Sequence, residues 1–305
     1  MNTIDRVHHE ILLHSQRNAR WSYNNPPLAQ LPRDLATLYR PDPGWPWVEW
    51  DWDQLELRIV ACLSRDATML EVFAKGWDIH FMTACAVFGL DLPSQLKDPV
   101  HAEENAEWRR VMKWLTCNHL YGVCGKDDIR RTKGAKGLGH GISYGLTERG
   151  AANLPGARVL GLSGKDVQRA FRNISAMFPG RAAWQDRLVE EALRVGETRT
   201  WAGRRRRYLD RGKGNYLRGE ILDQPAQAGA QDLSNEVFLE VAETFGADVI
   251  YKFGKHDSQI WGIRESEWDR ITPQIRTLVT RPRMIDGVEM AFPAHQEAER
   301  ILHRH

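Results

Sequence analysis

The chain has 305 residues, enough for one large or two modest domains that bury a core without disulfide staples. Its 42 Lys and Arg nearly balance 40 Asp and Glu, so the net charge of +2 neither demands nor excludes a nucleic-acid partner. No apolar run reaches membrane-span length, the four cysteines lack CxxC spacing, and no charged-then-apolar leader is present, which predicts a soluble protein with free thiols in a reducing intracellular compartment.

The first forty-odd residues carry Asn24-Asn25-Pro26-Pro27 and Pro41-Asp42-Pro43-Gly44, breakers that predict a loop-rich entry segment. The chain then alternates, with Trp47, Glu49, Asp51 and Asp53 on one side of a strand and Val48, Trp50 and Trp52 on the other. Asp51 therefore turns away from the Val/Trp face. Leu55, Ile59, Val60 and Leu63 at helical spacing predict a helix directly afterwards, and Asp53-Gln54-Leu55-Glu56 has the form of a capping box. Gly76-Trp77-Asp78 predicts a second helix running to Val87, with Asp78 as N-cap.

Asp91 to Glu107 is polar without periodicity and reads as a surface loop or insertion. Trp108 to Leu146 is helical and glycine-rich in its second half. Ser163 to Met177 and Ala182 to Val195 predict two helices, separated by the breaker Phe178-Pro179-Gly180 and closed by Gly196. Thr198 to Gly203 predicts a strand entering a turn ahead of the arginine run Arg204 to Arg207. A long helix from Gln227 to Phe245 precedes two strands, Val249 to Phe253 and Gln259 to Ile263, forming a hairpin with Asp257 at its apex. Gly287 to Phe292 is expected to extend the same sheet.

Two acidic segments thus sit at strand ends, one around Asp51 and one around Asp257. Carboxylates held about 4 Å apart repel by roughly 4 kcal/mol at a protein-like dielectric, so a fold that aims both into one cleft implies a cation between them. Basic residues cluster at Lys126 to Lys136 and Arg199 to Arg218, a pattern that fits either a solvated face or a nucleic-acid footprint.

Asp51-Trp52-Asp53-Gln54-Leu55-Glu56-Leu57-Arg58 resembles motif A of the family A DNA polymerases, whose usual form is DYSQIELR. Asp78-Ile79-His80 is similar to the DIH segment of that family, and Arg20 to Pro32 to its RLSSxNPNLQNIP block. Phe178-Pro179-Gly180, Gly203-Arg204-Arg205-Arg206, Gln224-Pro225-Ala226-Gln227 and His256-Asp257 resemble the later blocks in the right order. The resemblance spans nearly the whole chain. It implies an α+β fold: a polymerase palm with an antiparallel sheet plus helical fingers, and no thumb or exonuclease domain. The implied boundaries are a palm entry segment at 1–47, palm with motif A at 48–75, fingers with an insertion and motif B at 76–177, and palm with the duplex-contacting segment and motif C at 178–305.

By the same resemblance, Asp51 and Asp257 are the catalytic carboxylates, holding two Mg²⁺ ions with help from the Trp52 carbonyl. Glu56 corresponds to the family's steric-gate glutamate. Two segments resemble motif B, one ending at Tyr121-Gly122 and one at Tyr144-Gly145, and the separation from Phe178-Pro179-Gly180 selects the second. His80, Arg131, Lys136, His140 and Tyr144 are then the expected nucleotide-binding residues, with Lys136 meeting the triphosphate. Arg20, Arg204, Arg205, Gln227 and His256 are the expected DNA-binding residues, with Arg204 and Arg205 on phosphates and Gln227 in the minor groove. Arg58 reads either as a helix-surface charge or as a support for the carboxylates.

Four positions depart from the family pattern: Thr132, His140, Asp223 where the family has Asn, and Ser258 where it has Glu after the catalytic Asp. The implied reaction is template-directed addition of dNMP to a primer 3′ end, with DNA primer-template and dNTP as partners. A second polypeptide supplying a thumb or exonuclease is a further expected partner, and no membrane is expected. The alternatives are a catalytically weakened nucleic-acid-binding subunit, a fragment of a larger or split polymerase, or ribonucleotide or RNA-templated synthesis on the same scaffold.

Overall fold

The computed structural model describes residues 9–13, 16–17, 19–24, 27, 40–76, 79–80, 82–83, 136–146, 150, 163–209, 214–254 and 257–301. The insertion, the rejected motif B segment, Asp78, Arg131, Thr132 and His256 lie outside these residues. So do the side chains of Lys136 and His140.

The entry segment contains a short antiparallel pair, β1 (Glu10–Leu12) and β2 (Ser22–Asn24). Strand β3 (Trp47–Trp52) follows and leads within two residues into α1 (Leu55–Ser64). Nine of the ten residues of α1 are buried, so this helix runs through the core rather than over it. The capping box expected at its start is absent: Gln54 is the N-cap, at φ 55°, with no side-chain cap bond. Glu56 is instead taken by long-range partners described below. A helix the sequence reading did not separate, α2 (Ala67–Ala74), is capped by Asp66, which accepts from Met69 N at 2.9 Å.

Helix α3 (Lys136–Ser143) precedes α4 (Gly164–Met177), whose Ser163 and Asp166 form a true capping box. Pro179 opens α5 (Pro179–Val195), so the Phe178-Pro179-Gly180 breaker is the first turn of the second helix rather than a gap between two. Gly180 is constrained by closeness: a Cβ there would come within 2.8 Å of Asp66 Cα. Strands β4 (Glu197–Arg199) and β5 (Arg205–Arg207) form a hairpin, which places the arginine run on a strand.

Helix α6 (Gly214–Phe245) runs for 32 residues and carries Pro225 inside it, starting well before the expected Gln227. Proline costs the helix one hydrogen bond. The buried stripe nevertheless continues across it, from Leu217, Ile221 and Leu222 to Ala226, Leu233, Val237 and Val241, and this packing holds the helix together. Gly229 lets α6 cross close to α1, since a Cβ would stand 3.3 Å from Ile59 Cγ2 and 3.0 Å from Trp201 Cδ1.

The hairpin of β6 (Val249–Phe253) and β7 (Ser258–Ile263) forms as expected. Helix α7 (Trp268–Thr280) then buries Trp268, Ile271, Ile275 and Val279, and Trp52 Nε1 donates to the Val279 carbonyl at 3.0 Å. The expected last strand needs correction. Residues 283–290 fold on themselves as β8 (Arg283–Ile285) and β9 (Val288–Met290), and the sheet is extended by β10 (Ala294–Ile301). Its order is β10-β3-β7-β6, antiparallel throughout. The result is a mixed fold in which helices pack on one four-stranded antiparallel sheet whose inner strands are β3 and β7.

Candidate active site

The site is built where β3 ends. Along β3 the residues between Val48 and Trp52 alternate buried and half-buried, so Glu49 and Asp51 share the open face while Val48, Trp50 and Trp52 enter the core. Register sets Ser258 directly across from Asp51 on β7 and His295 across from it on β10. One pair further on, Trp52 N donates to the Asp257 carbonyl at 2.9 Å. The Asp51 and Asp257 backbones thus lie at the same end of neighbouring strands, although most of the chain separates them.

Glu56, in the first turn of α1, is 7 % exposed. Tyr144 Oη donates to one of its oxygens and Arg20 donates to the other. Arg20 also reaches Asp257 at 3.4 Å, so one guanidinium bridges a carboxylate from α1 and one from the start of β7. Its position is fixed by the residues that follow it. Trp21 packs edge-on against Phe238 and Tyr251, while the Tyr23 hydroxyl accepts from Gly254 N at 2.7 Å and meets the Tyr251 hydroxyl at 3.0 Å. These bonds tie β2 to the β6–β7 hairpin. The Tyr144 hydroxyl is held well above its ordinary pKa by burial and then by the neighbouring Glu56 charge.

Asp223 stands on α6 with Gln227 one turn beyond it, on the same face. Burial, then the Glu56 charge, pushes its carboxyl up to about 6, against the opposing pull of Arg20 and Arg206. Arg58 is not a surface charge. It is buried, donates to the Asp53 carbonyl at 3.0 Å and the Ala291 carbonyl at 3.0 Å, and lies 4.4 Å from the centre of the Phe73 ring. It fastens the turn after Asp51 to the segment entering β10. Asp53 in turn pairs with His295 at 3.0 Å.

The arginine run divides by strand alternation. Arg205 and Arg207 are exposed, whereas Arg204 pairs with Asp232 at 2.7 Å and Arg206 with Glu220 at 2.7 Å. Arg204 to Arg206 line an open cavity of about 280 Å³ with Arg17 and Gln224. His80 is buried in a short helical stretch that packs on α3, where a Cβ on Gly139 would come within 2.8 Å of Thr83 Cγ2.

The structure therefore brings Arg20, Glu56, Tyr144 and Asp257 into one network, with Asp51 on the adjacent strand. The sequence reading missed the Arg20 bridge and the buried character of Asp223, both of which arise between segments far apart in the chain. Among the described residues no three His, Cys, Asp or Glu side chains converge closely enough to hold an ion. Two carboxylates and a backbone carbonyl still fit Mg²⁺, which usually binds through one or two carboxylates while its other positions go to water and substrate phosphates.

The DNA polymerase family A profile matches residues 1–133. DNA polymerase I of Chloroflexus aurantiacus is 26 % identical over 286 residues, covering 90 % of this chain and 26 % of that protein. DNA polymerase I of Lactococcus lactis is 24 % identical over 304 residues, covering 94 % of this chain and 30 % of that protein. The chain thus spans less than a third of the length of these relatives. In fold it is similar to the POL domain of Pol1 from M. smegmatis, solved in complex with DNA primer-template and dNTP. The TM-score is 0.70 at 23 % identity, covering 95 % of this chain and 47 % of that one. Among the described residues no helix is long and apolar enough to cross a membrane.

Proposed function

From its similarity to the family A DNA polymerases, we propose that the chain is one of them and adds dNMP to a primer 3′ end under the direction of a DNA template. The observation that carries this reading is the convergence of Glu56, Tyr144, Arg20 and Asp257 beside Asp51. Residues 48–75 and 178–305 act as the palm in this reading, and 76–177 as the fingers.

Asp51, Asp257 and the Trp52 carbonyl would hold the metal. Bound Mg²⁺ would supply Lewis-acid activation of the primer hydroxyl and charge neutralisation at the leaving pyrophosphate. Glu56, clamped by Tyr144 and Arg20, presents a fixed carboxylate where the sugar edge of a nucleotide enters. Lys136 and Arg131 meet the triphosphate, with His80 and His140 completing the nucleotide pocket. Arg20 must release Asp257 when a cation binds there, which frees its guanidinium for the primer terminus. Gln227 follows the minor groove, Arg204 and Arg205 face the duplex phosphates, and His256 lies next to the primer end. These contacts position the duplex without reading its sequence.

Primer extension tests the proposal. With Mg²⁺ and dNTPs, Asp51→Ala and Asp257→Ala are each expected to lower the rate by on the order of 10³-fold, the loss of about 4 kcal/mol of transition-state stabilisation. Extension that persists unchanged in both variants would sink the assignment. Ser258, where a third carboxylate is expected, favours one other reading, a DNA-binding subunit with weakened chemistry. That reading predicts primer-template binding by the wild-type chain with little extension at any Mg²⁺ concentration.

A further inference from the structure

Glu49 occupies an unusual place. It sits in an inner strand of the sheet, two residues before Asp51 and on the same open face, with Ile260 and Ala298 as its register partners on either side. A carboxylate beside such neighbours gains little from packing and is costly to desolvate. It does meet Ser258: the serine hydroxyl donates to Glu49 Oε1 at 2.8 Å. Ser258 is 5 % exposed and is itself the cross-strand partner of Asp51. Ser258 therefore faces Asp51 directly across the β3–β7 pair and reaches back diagonally to Glu49 on the same strand as Asp51.

We propose that Glu49 is a positioning residue of the active site: through Ser258 it supplies, from β3, the third negative charge that β7 lacks beside Asp257. The proposal rests on the polymerase reading of the site. One oxygen of Glu49 is taken by the Ser258 hydroxyl, so its role in this proposal is to support the ligands and not to join them. It acts on cation affinity in two ways. Its charge adds to the field at Asp51 from about two residues along the strand, roughly 7 Å away at strand spacing. Its bond to the Ser258 hydroxyl also fixes the rotor that flanks Asp51, so the serine proton points toward Glu49 and away from the metal-binding end of the strand.

Mn²⁺ binding to the full chain without DNA or dNTP, followed through the electron paramagnetic resonance signal of free Mn²⁺, tests this. Glu49→Gln keeps the shape and an acceptor for Ser258 but removes the charge, and is expected to weaken Mn²⁺ binding about tenfold. In primer extension the Mg²⁺ concentration giving half-maximal rate should rise by a similar factor while kcat at saturating Mg²⁺ stays within about twofold. A merely structural role would not produce that split. Ser258→Glu in the Glu49→Gln background returns a carboxylate across the strand pair and should restore Mn²⁺ affinity. Circular dichroism confirms that each variant is folded, and Ser258→Ala, expected to show a smaller loss, serves if Glu49→Gln is not. Unchanged Mn²⁺ affinity in Glu49→Gln, or no recovery in the double variant, overturns the proposal. Mn²⁺ binding that is insensitive to Asp51→Asn instead overturns the reading of the site on which it rests.

Discussion

Asp223 is a carboxylic acid whose chemistry is strongly altered by its surroundings. Burial and Glu56 raise its carboxyl to about 6 from an ordinary 3.8, with Glu220 adding to the rise and Arg20 and Arg206 opposing it. A raised folded-state pKa means that stability fully present below about pH 4 is lost as the pH climbs through about 6. Asp223→Asn removes that cost. Its melting temperature should exceed the wild-type value at pH 8 and converge with it near pH 4, and thermal unfolding at the two pH values checks the sign. Tyr144→Phe should release one side of Glu56. The ratio of dNMP to rNMP incorporation should then fall several-fold with little change in melting temperature, which single-nucleotide incorporation assays measure. That Asp51 and Asp257 meet at one end of neighbouring strands was legible in the sequence, because the alternation along β3 and the two apolar runs of the hairpin fix where each strand stops. The raised pKa of Asp223 was not, since it depends on how deeply α6 settles against α1. The mistaken capping box shows the same limit: Asp53 to Glu56 has the right letters, but Arg20 and Tyr144 hold Glu56 more strongly than a local N–H could.

At the scale of elements, Asp66 joins two helices. It is fully buried, accepts from Met69 N at 2.9 Å as the cap of α2, and accepts from Arg181 N at 3.0 Å in the first turn of α5. Asp66→Ala should cost about 1 kcal/mol for the lost cap and a further 1–3 kcal/mol for the second amide left unsatisfied. A fall of about 2–4 kcal/mol in urea unfolding is the expected sum, and a fall below about 1 kcal/mol would show that Arg181 finds another acceptor. Helix α4 was legible because its cap and stripe agree. Helix α7 was missed although Trp268, Ile271, Ile275 and Val279 recur at helical spacing, because Pro273 inside the stripe reads as a breaker. Pro225 misplaced the start of α6 in the same way. In both helices tertiary packing outweighs the missing backbone bond, a balance no local pattern displays.

For the molecule as a whole, the sheet order β10-β3-β7-β6 makes the candidate site a product of chain closure. A chain ending at Phe292 would leave one edge of β3 unpaired, with its tryptophans alternating along an exposed strand. Such a chain should lose the cooperative melting transition and elute as aggregates in size-exclusion chromatography. Retention of a sharp, monomeric transition would show that β10 contributes little. The hairpin carrying Asp257 was legible from its two apolar runs, whereas the identity of the strand beside β3 was not, because register between distant segments is set only when they meet. The order of synthesis gives this topology a cost in time. Strand β3 leaves the ribosome roughly 200 residues ahead of its neighbour β7, and β10 follows later still. At about 5–20 residues per second, that is on the order of 10–40 s during which Trp47, Trp50 and Trp52 wait without a sheet to join. The strand that holds Asp51 is thus made well before the strands that secure it, and its apolar face is open to misassociation for as long as that interval lasts.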